Sequence, residues 1–194
     1  MPLKNDDSDM KIVGSENNDA SASDAIDAGA FLRETGRQHF NGNMSKARSL
    51  GADTVGSFSC RGIPEDIERL MDTFRAAPTE MILDEIRILK VFCAEYCMDR
   101  YLPSPLLSTA AAAEMFDGLK EAMPEFYERL SHSASFSFYY LCLNRNGELK
   151  RNIGEAFAEM CDMPTDNGII GLGSALFEKY TDLFKKTIKA FAFV

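Results

Sequence analysis

The chain has 194 residues, of which 45% are hydrophobic, and it carries a formal net charge of −9 with a pI near 4.8. This length and composition suffice for one domain with a hydrophobic core, so a disulfide framework is not required, and the odd number of cysteines favours reduced thiols. An acidic chain without a basic cluster disfavours nucleic acid and anionic membrane surfaces, because Lys and Arg must neutralise both. With neither a signal peptide nor a transmembrane segment recognisable, we expect a cytoplasmic protein.

The first 23 residues are predicted to be a disordered acidic tail. Residues 1–30 hold two lysines against seven Asp and Glu residues, a surplus of five negative charges. Apolar residues in the tail repeat at neither a helical nor a strand period, so the tail cannot bury enough surface to offset the entropy of ordering its backbone. The rest of the chain, residues 24–194, is predicted to form a single helical domain.

The first part of this domain contains few regular signals. A short helix is predicted over residues 23–36, where a glycine ends it. Residues 41–62 contain many Gly, Ser and Asn residues without a sustained period, which predicts a long loop. An amphipathic helix over residues 64–77 follows, because apolar side chains recur at helical spacing at Ile67, Leu70, Met71 and Phe74.

Residues 79–101 are predicted to form the central helix of the domain. Thr79 can serve as its N-cap and Pro103 ends it. Apolar residues on both sides of this helix indicate that it packs against neighbours on more than one face. The adjacent carboxylates Asp84 and Glu85 are predicted to lie on a solvated edge. The main apolar stripe consists of Ile82, Ile86, Leu89, Cys93, Tyr96 and Cys97.

Four further helices are predicted after the central one. The first is capped by Ser104, the second begins at Pro124 and the third covers residues 148–162. The last begins after a cap at Thr165 or Asp166 and is expected to dock into the core. The inner face of the Ser104 helix is predicted to carry Thr109, Ala112, Ala113, Phe116, Leu119 and Met123.

Residues 131–150 fit either a helix or a β-hairpin. The alternation between Ser133 and Phe138, followed by Asn146 and Gly147, favours a hairpin. The lack of a convincing partner strand favours the helix, which would carry on one face Phe136, Tyr139, Tyr140 and Leu143. The whole pattern predicts an all-α fold, either a multi-helix bundle or an orthogonal helical array, of about six helices.

The face around Cys93 and Cys97 is the strongest candidate for a binding site, because residues four apart share a helix face. Two thiolates could bind a soft metal, with Cys142, Cys161 or His132 completing a tetrahedral site. Structural zinc sites usually take ligands from CxxC turns, which this chain lacks, so no metal and no cofactor are predicted. A small-ligand pocket on this face would be lined by Cys93, Tyr96, Cys97, Tyr139, Tyr140 and Cys142.

No catalytic residue is predicted. His132 follows Glu128 by one helical turn and lies between two serines, but neither serine stands in a GxSxG motif. Gly168, Gly171 and Gly173 follow no strand and lack the Lys-Ser/Thr ending of a P-loop. These glycines predict close helix packing or a flexible helix start instead of phosphate binding.

Two functions from different classes follow from these features. The first is a non-enzymatic protein-interaction or regulatory domain, which binds another protein or a second copy of itself through an exposed helical groove. It predicts an exposed apolar patch on the folded surface. The alternative is a small-ligand- or metal-binding helical bundle that uses the Cys93 and Cys97 face.

Overall fold

The structure is a computed structural model, and it describes residues 20–58 and 63–194. Within these ranges the chain forms nine α-helices and no β-strand, which confirms the all-α class, although the number of helices exceeds the predicted six. None of them is both long enough and apolar enough to cross a membrane. The helices are α1 Ala20–Phe40, α2 Asn43–Gly56, α3 Glu65–Phe74, α4 Glu80–Tyr101, α5 Pro105–Ala122, α6 Pro124–His132, α7 Ala134–Leu143, α8 Leu149–Met160 and α9 Asn167–Ala190.

The chain divides into two compact units between residues 37 and 38. The first unit is described from Ala20 and contains α1 as far as Arg37, whose guanidinium pairs with Glu34 at 2.7 Å. The second unit covers Gln38–Val194 and contains the other eight helices. Residues 1–19 of the predicted tail lie outside the described residues, and α1 begins three residues before the predicted helix start.

Helix α4 is enclosed by several other helices of the second unit. The Thr79 hydroxyl accepts a hydrogen bond from the Ile82 N–H at 3.3 Å, which is the predicted N-cap. The helix contacts α5, α7, α8 and α9. Three consecutive residues, Phe92, Cys93 and Ala94, are fully buried, so α4 is covered on every side at this level. The prediction of a central helix packed on more than one face is confirmed.

Residues 41–62 contain a helix, α2, where a loop is predicted. The helix follows Gly42, whose φ of 72° lies in the left-handed region that glycine adopts readily. Helix α2 packs on α5 so closely that a Cβ on Gly51 would lie 2.3 Å from the Ala111 carbonyl oxygen. Gly51, one of the small residues that suggest a loop, is therefore what lets the two backbones approach.

The buried face of helix α5 is rotated from the predicted one, although Leu119 is buried as predicted. Ser104 caps it as expected, accepting a hydrogen bond from the Leu106 N–H at 3.2 Å. Thr109 and Ala113, predicted to point inward, are exposed. The difference arises because α2 packs on α5, and the buried face consists of Leu107, Ser108, Ala111, Met115 and Leu119.

Residues 134–143 form helix α7, so the helical alternative for this segment is confirmed over the hairpin. Ser133 caps the helix by accepting a hydrogen bond from the Ser135 N–H at 3.1 Å. Gly147, with a φ of 114°, lies in the turn that leads to α8. Helix α7 contacts α4 and α8.

Helices α8 and α9 pack against each other through glycines. A Cβ on Gly154 would lie 2.1 Å from the Ser174 hydroxyl and 2.4 Å from the Ile170 carbonyl oxygen. A Cβ on Gly173 would lie 2.6 Å from Phe157. Close packing, predicted for the glycines of α9, is confirmed.

Both ends of α9 are tied to their surroundings. Asp166 caps its N-terminus by accepting hydrogen bonds from the N–H groups of Gly168 at 2.8 Å and Ile169 at 3.2 Å. Beyond the C-terminus, the Val194 N–H donates to the Asn43 side-chain oxygen at 3.1 Å. The final helix thus docks into the core, as expected, and the residues that follow it contact α2.

Candidate functional site

Cys93 and Cys97 point into the core and toward α9. Both are buried, and the Cys97 thiol contacts the Thr181 carbonyl oxygen at 3.6 Å. Burial raises the pKa of the Cys93 thiol well above its ordinary value and raises the pKa of Cys97 to about 12. A thiol with a raised pKa stays protonated at neutral pH, whereas nucleophiles and metal ligands are thiolates. The environment of the pair therefore favours packing.

The other predicted ligand-binding residues project in different directions. The Cys142 thiol contacts the Asn152 carbonyl oxygen of α8 at 3.5 Å. Tyr96 is half-buried and packs between Phe92 and Phe177, with ring centroids 6.0 and 5.9 Å away. The six predicted residues therefore do not line one pocket. Tyr139 belongs to a buried polar cluster around Glu85, and Tyr140 lines an open cleft.

His132, the third candidate metal ligand, is exposed at the end of α6. Its Nδ1 atom lies 2.8 Å from the Glu128 carbonyl oxygen and 3.2 Å from the Ser131 hydroxyl. In residues 20–58 and 63–194, no three His, Cys, Asp or Glu side chains come together as a metal ion would require. The imidazole is thus oriented by its own helix, away from the buried cysteines.

A buried carboxylate lies between α4 and α7. The prediction that Glu85 occupies a solvated edge is wrong, since the residue is only 5% exposed. Its carboxylate accepts hydrogen bonds from the Tyr139 hydroxyl at 2.5 Å and from the Ser135 hydroxyl at 2.9 Å. The Ser133 hydroxyl in turn donates to Ser135 at 2.9 Å. One carboxylate thus fixes two side chains of α7 against α4.

Burial decides the electrostatics of this cluster. It raises the pKa of Glu85, while the hydrogen bonds from Tyr139 and Ser135 lower that pKa less strongly. Burial and the neighbouring carboxylate together raise the pKa of Tyr139 well above its ordinary value. Because Tyr139 is fully buried, the cluster serves the packing of α4 on α7 and offers no surface to a ligand.

An open cleft of about 470 Å³ lies between α4, α5 and α7. Helix α5 forms the floor of the cleft. The floor consists of four residues that were predicted to face the core, Thr109, Ala112, Ala113 and Phe116. Helix α4 contributes two carboxylates, and α7 contributes a tyrosine. We call this the α4–α5–α7 cleft, and its lining is Glu95, Asp99, Ser108, Thr109, Ala112, Ala113, Phe116 and Tyr140.

Aromatic packing fixes one wall of the cleft. The Tyr140 ring meets the buried Phe92 ring edge to face, with centroids 5.2 Å apart. Phe136 lies beside Tyr140 at 5.7 Å and meets Phe116 edge to face at 6.2 Å. Such edge-to-face pairs are favourable beyond the area they bury. Tyr140 is therefore held against the core by its inner side while its outer side lines the cleft.

The α4 edge of the cleft, next to Tyr140, carries negative charge. Glu95 and Asp99 lie one turn apart on α4, and among the ion pairs of the described residues none involves either of them. The Glu95 Oε2 atom is buried and accepts no hydrogen bond. Burial and the Asp99 charge raise the pKa of Glu95, although a hydrogen bond from Tyr140 lowers it in part. A cation at this edge would favour the charged form of Glu95 and would give its Oε2 atom a polar partner.

Helix α7 also presents an exposed outer face next to the cleft. Its sequence is apolar around most of its circumference, which is usual for a helix covered on all sides. Its outer residues are nevertheless exposed, and Leu141 is exposed by 63%. We define the α7 surface as the α4–α5–α7 cleft together with this outer face, which consists of Ala134, Ser137, Tyr140 and Leu141.

A second, smaller cavity of about 130 Å³ lies beside α3 and α4. Lys90 lines it, donates a hydrogen bond to the Ser57 carbonyl oxygen at 2.5 Å, and lies 5.5 and 5.7 Å from the ring centroids of Phe58 and Tyr180. Residues 59–62, which connect two stretches of its lining, lie outside the described residues. We therefore base no site on this cavity.

A function for the α7 surface must be inferred from the geometry of its residues. It combines exposed apolar side chains, a cleft with a fixed aromatic wall and an edge of two unpaired carboxylates. None of its residues except Tyr140 was expected from the sequence to contact a ligand. Comparisons of the chain with protein-family models, with curated proteins and with solved structures found no match.

Proposed function

We propose that this chain is a non-enzymatic protein-interaction domain that binds a partner protein through the α7 surface. The observation that carries the proposal is the exposed outer side of α7, a helix whose composition is that of a buried one. Contiguous exposed apolar surface with a polar rim is typical of sites where proteins bind each other. The α4–α5–α7 cleft adjoins this face, so the exposed surface includes a concave part.

The cleft has the size and the wall that an anchoring side chain needs. Binding energy in protein interfaces is concentrated in a few side chains that fill pockets near the centre. A volume of about 470 Å³ accommodates one or two large side chains, and the Tyr140 ring provides a fixed apolar contact for them. Burying one large apolar side chain there would contribute about 1.5–3 kcal/mol.

Charge favours a different protein as the partner over a second copy of this chain. A symmetric dimer brings the same surface of two copies together. Each copy would carry Glu95 and Asp99 into that interface, and the chain as a whole has a net charge of −9. Like charges facing each other across an interface oppose association. Binding of another protein avoids this repulsion.

A charged side chain introduced on the outer face of α7 tests the proposed binding surface. We expect Leu141→Asp to weaken partner binding at least about tenfold, or 1.4 kcal/mol, because the new carboxylate would be desolvated without a partner. Proteins captured from the source cells by the wild type would be purified, and their direct affinity for wild type and variant measured by calorimetry. Leu141 is exposed, so the variant should keep its circular dichroism spectrum and melting temperature.

Met81→Asp is the matched control. Met81 is 48% exposed near the start of α4 and belongs neither to the lining of the cleft nor to the outer face of α7, so its replacement introduces the same charge outside the proposed interface. Its affinity for the purified partner should equal that of the wild type. Equal affinities of the wild type and Leu141→Asp for every captured protein would refute the proposal.

A further inference from the structure

We infer that the partner segment bound in the α4–α5–α7 cleft is basic, and that one of its lysine or arginine side chains lies against Glu95 and Asp99. This inference rests on the proposed function and specifies the chemistry of the partner. It is carried by three properties of the cleft, namely its carboxylates without an ion-pair partner, its floor of mostly small side chains and its aromatic wall.

The carboxylates supply the first reason. Glu95 and Asp99 share one side of α4, and no Lys or Arg of the described residues pairs with either. Glu95 accepts a hydrogen bond from Tyr140, but its Oε2 atom is removed from water without a hydrogen-bond partner. Groups in this state gain more from a cation than solvated carboxylates do, because the cost of desolvating them has already been incurred in the folded protein.

The shape of the cleft supplies the second reason. Ala112 and Ala113 line it with small apolar side chains, while Phe116 and Tyr140 add aromatic surface. Lysine and arginine have an apolar stem that ends in a charge, and they commonly bury the stem while the charged group meets a polar partner. A stem lying on the α5 floor and against the Tyr140 ring would carry its charge to the α4 edge, where cation–π contact adds attraction.

The charge of the whole chain acts in the same direction. A net charge of −9 attracts basic segments from a distance and repels acidic ones. Such attraction mainly raises the association rate and is weakened by salt. A basic partner segment is therefore favoured both at the cleft and during the encounter.

The experiment uses a displayed library of random peptides as the probe. Peptides would be selected on the wild-type protein, and those that still bind Leu141→Asp would be discarded. We expect the remaining sequences to be enriched in Lys and Arg beside apolar residues. Replacing the basic residues of a selected peptide with Gln should weaken its binding to the wild type at least tenfold, as measured by fluorescence anisotropy.

Variants of the protein complete the test. We expect Glu95→Gln combined with Asp99→Asn to weaken binding of the selected peptide at least tenfold, and Asp99→Asn alone to weaken it to a smaller extent. Glu121→Gln removes an exposed carboxylate from the opposite side of α5 and should leave the affinity unchanged. Asp99 is exposed, so its single variant still reports if Glu95→Gln disturbs folding.

The outcomes separate the inference from the proposed function. Selected peptides that require Leu141 but are neutral or acidic, or that bind the double variant as well as the wild type, would overturn the basic partner and leave the interaction surface standing. Failure to find any peptide whose binding depends on Leu141 would overturn both. Basic peptides that lose affinity for the double variant and for Asp99→Asn would support both.

Discussion

At the residue scale, Glu85 is the polar group that joins α4 to α7. Its carboxylate accepts hydrogen bonds from two side chains of α7, Tyr139 and Ser135. A buried acceptor with two donors avoids much of the cost of an unsatisfied one. Burial nevertheless raises the pKa of Glu85, so the folded protein holds the proton of this residue more tightly than the unfolded chain does.

Replacing Glu85 with Gln should therefore change how stability depends on pH. A carboxyl group whose pKa is raised by folding stabilises the protein fully below its unfolded pKa, and this contribution is lost as the pH rises through the folded pKa. The free energy of unfolding of the wild type should thus fall relative to that of Glu85→Gln above pH 4.5, the ordinary pKa of the group. Urea unfolding at several pH values between about 4 and 8 measures this difference.

The control for this prediction is Glu121→Gln, which replaces an exposed carboxylate. Its stability curve should run parallel to that of the wild type. Other groups with raised pKa values, such as Glu95, are present in all three proteins and cancel from the comparison. Parallel curves for the wild type and Glu85→Gln would show that burial of Glu85 has no net effect on its proton affinity.

The burial of Glu85 could have been predicted from the sequence, but its hydrogen-bond partners could not. Glu85 lies one turn before Leu89 and two turns before Phe92, within the apolar side of α4, so helical periodicity predicts an inward position. Its type argues against burial, because Glu is rarely buried unless paired. The partners Ser135 and Tyr139 are 50 and 54 residues away, and local patterns carry no information about such contacts.

At the scale of the helices, close packing through small residues determines the arrangement. Because Gly51 has no Cβ, the backbone of α5 can approach α2 closely. Gly154 allows the backbone of α9 to approach α8 in the same way. Neither contact leaves room for a Cβ atom. Protein interiors are packed tightly enough that an added methyl group forces side chains or backbone to move. These glycines therefore set interhelical distances as well as local conformation.

Gly154→Ala should lower the free energy of unfolding by about 1–3 kcal/mol, because the new Cβ would overlap the Ile170 carbonyl oxygen as well as the Ser174 hydroxyl. The measurement is urea or thermal unfolding. Gly56→Ala, at a helical position with no atom within 4 Å of the added Cβ, is the matched control and should leave stability unchanged or raise it by up to about 1 kcal/mol. Equal effects of the two changes would contradict the close packing of α8 and α9.

Helix starts were predictable because their signals are local. Thr79, Ser104 and Asp166 each cap the helix that follows them, as their residue types and positions indicate. Helix α2 was not predicted, because its glycines resemble turn residues and its packing partner α5 lies far along the chain. Without α2, periodicity assigned two exposed residues of α5, Thr109 and Ala113, to the core. That error concealed the floor of the cleft.

At the scale of the whole molecule, the negative charge of the chain and the α7 surface favour the same kind of partner. The net charge of −9 gives long-range attraction for a basic protein, and the cleft offers contacts at short range. Among the predicted ligand-binding residues, Tyr140 lines the cleft, whereas Cys93 and Cys97 pack in the core. The cleft could not be derived from the sequence because it depends on how α7 packs beside α4 and α5, and local patterns carry no information about that contact.

We propose that this chain binds proteins through the α7 surface, and nuclear magnetic resonance can test this claim residue by residue. A peptide selected on the wild type would be added to ¹⁵N-labelled protein, and the amide chemical shifts followed during the titration. We predict that the largest changes cluster at residues 95–99, 108–116 and 134–141, which form the α4–α5–α7 cleft and the outer face of α7. Changes concentrated on other helices, such as α3 and α9, would contradict the claim.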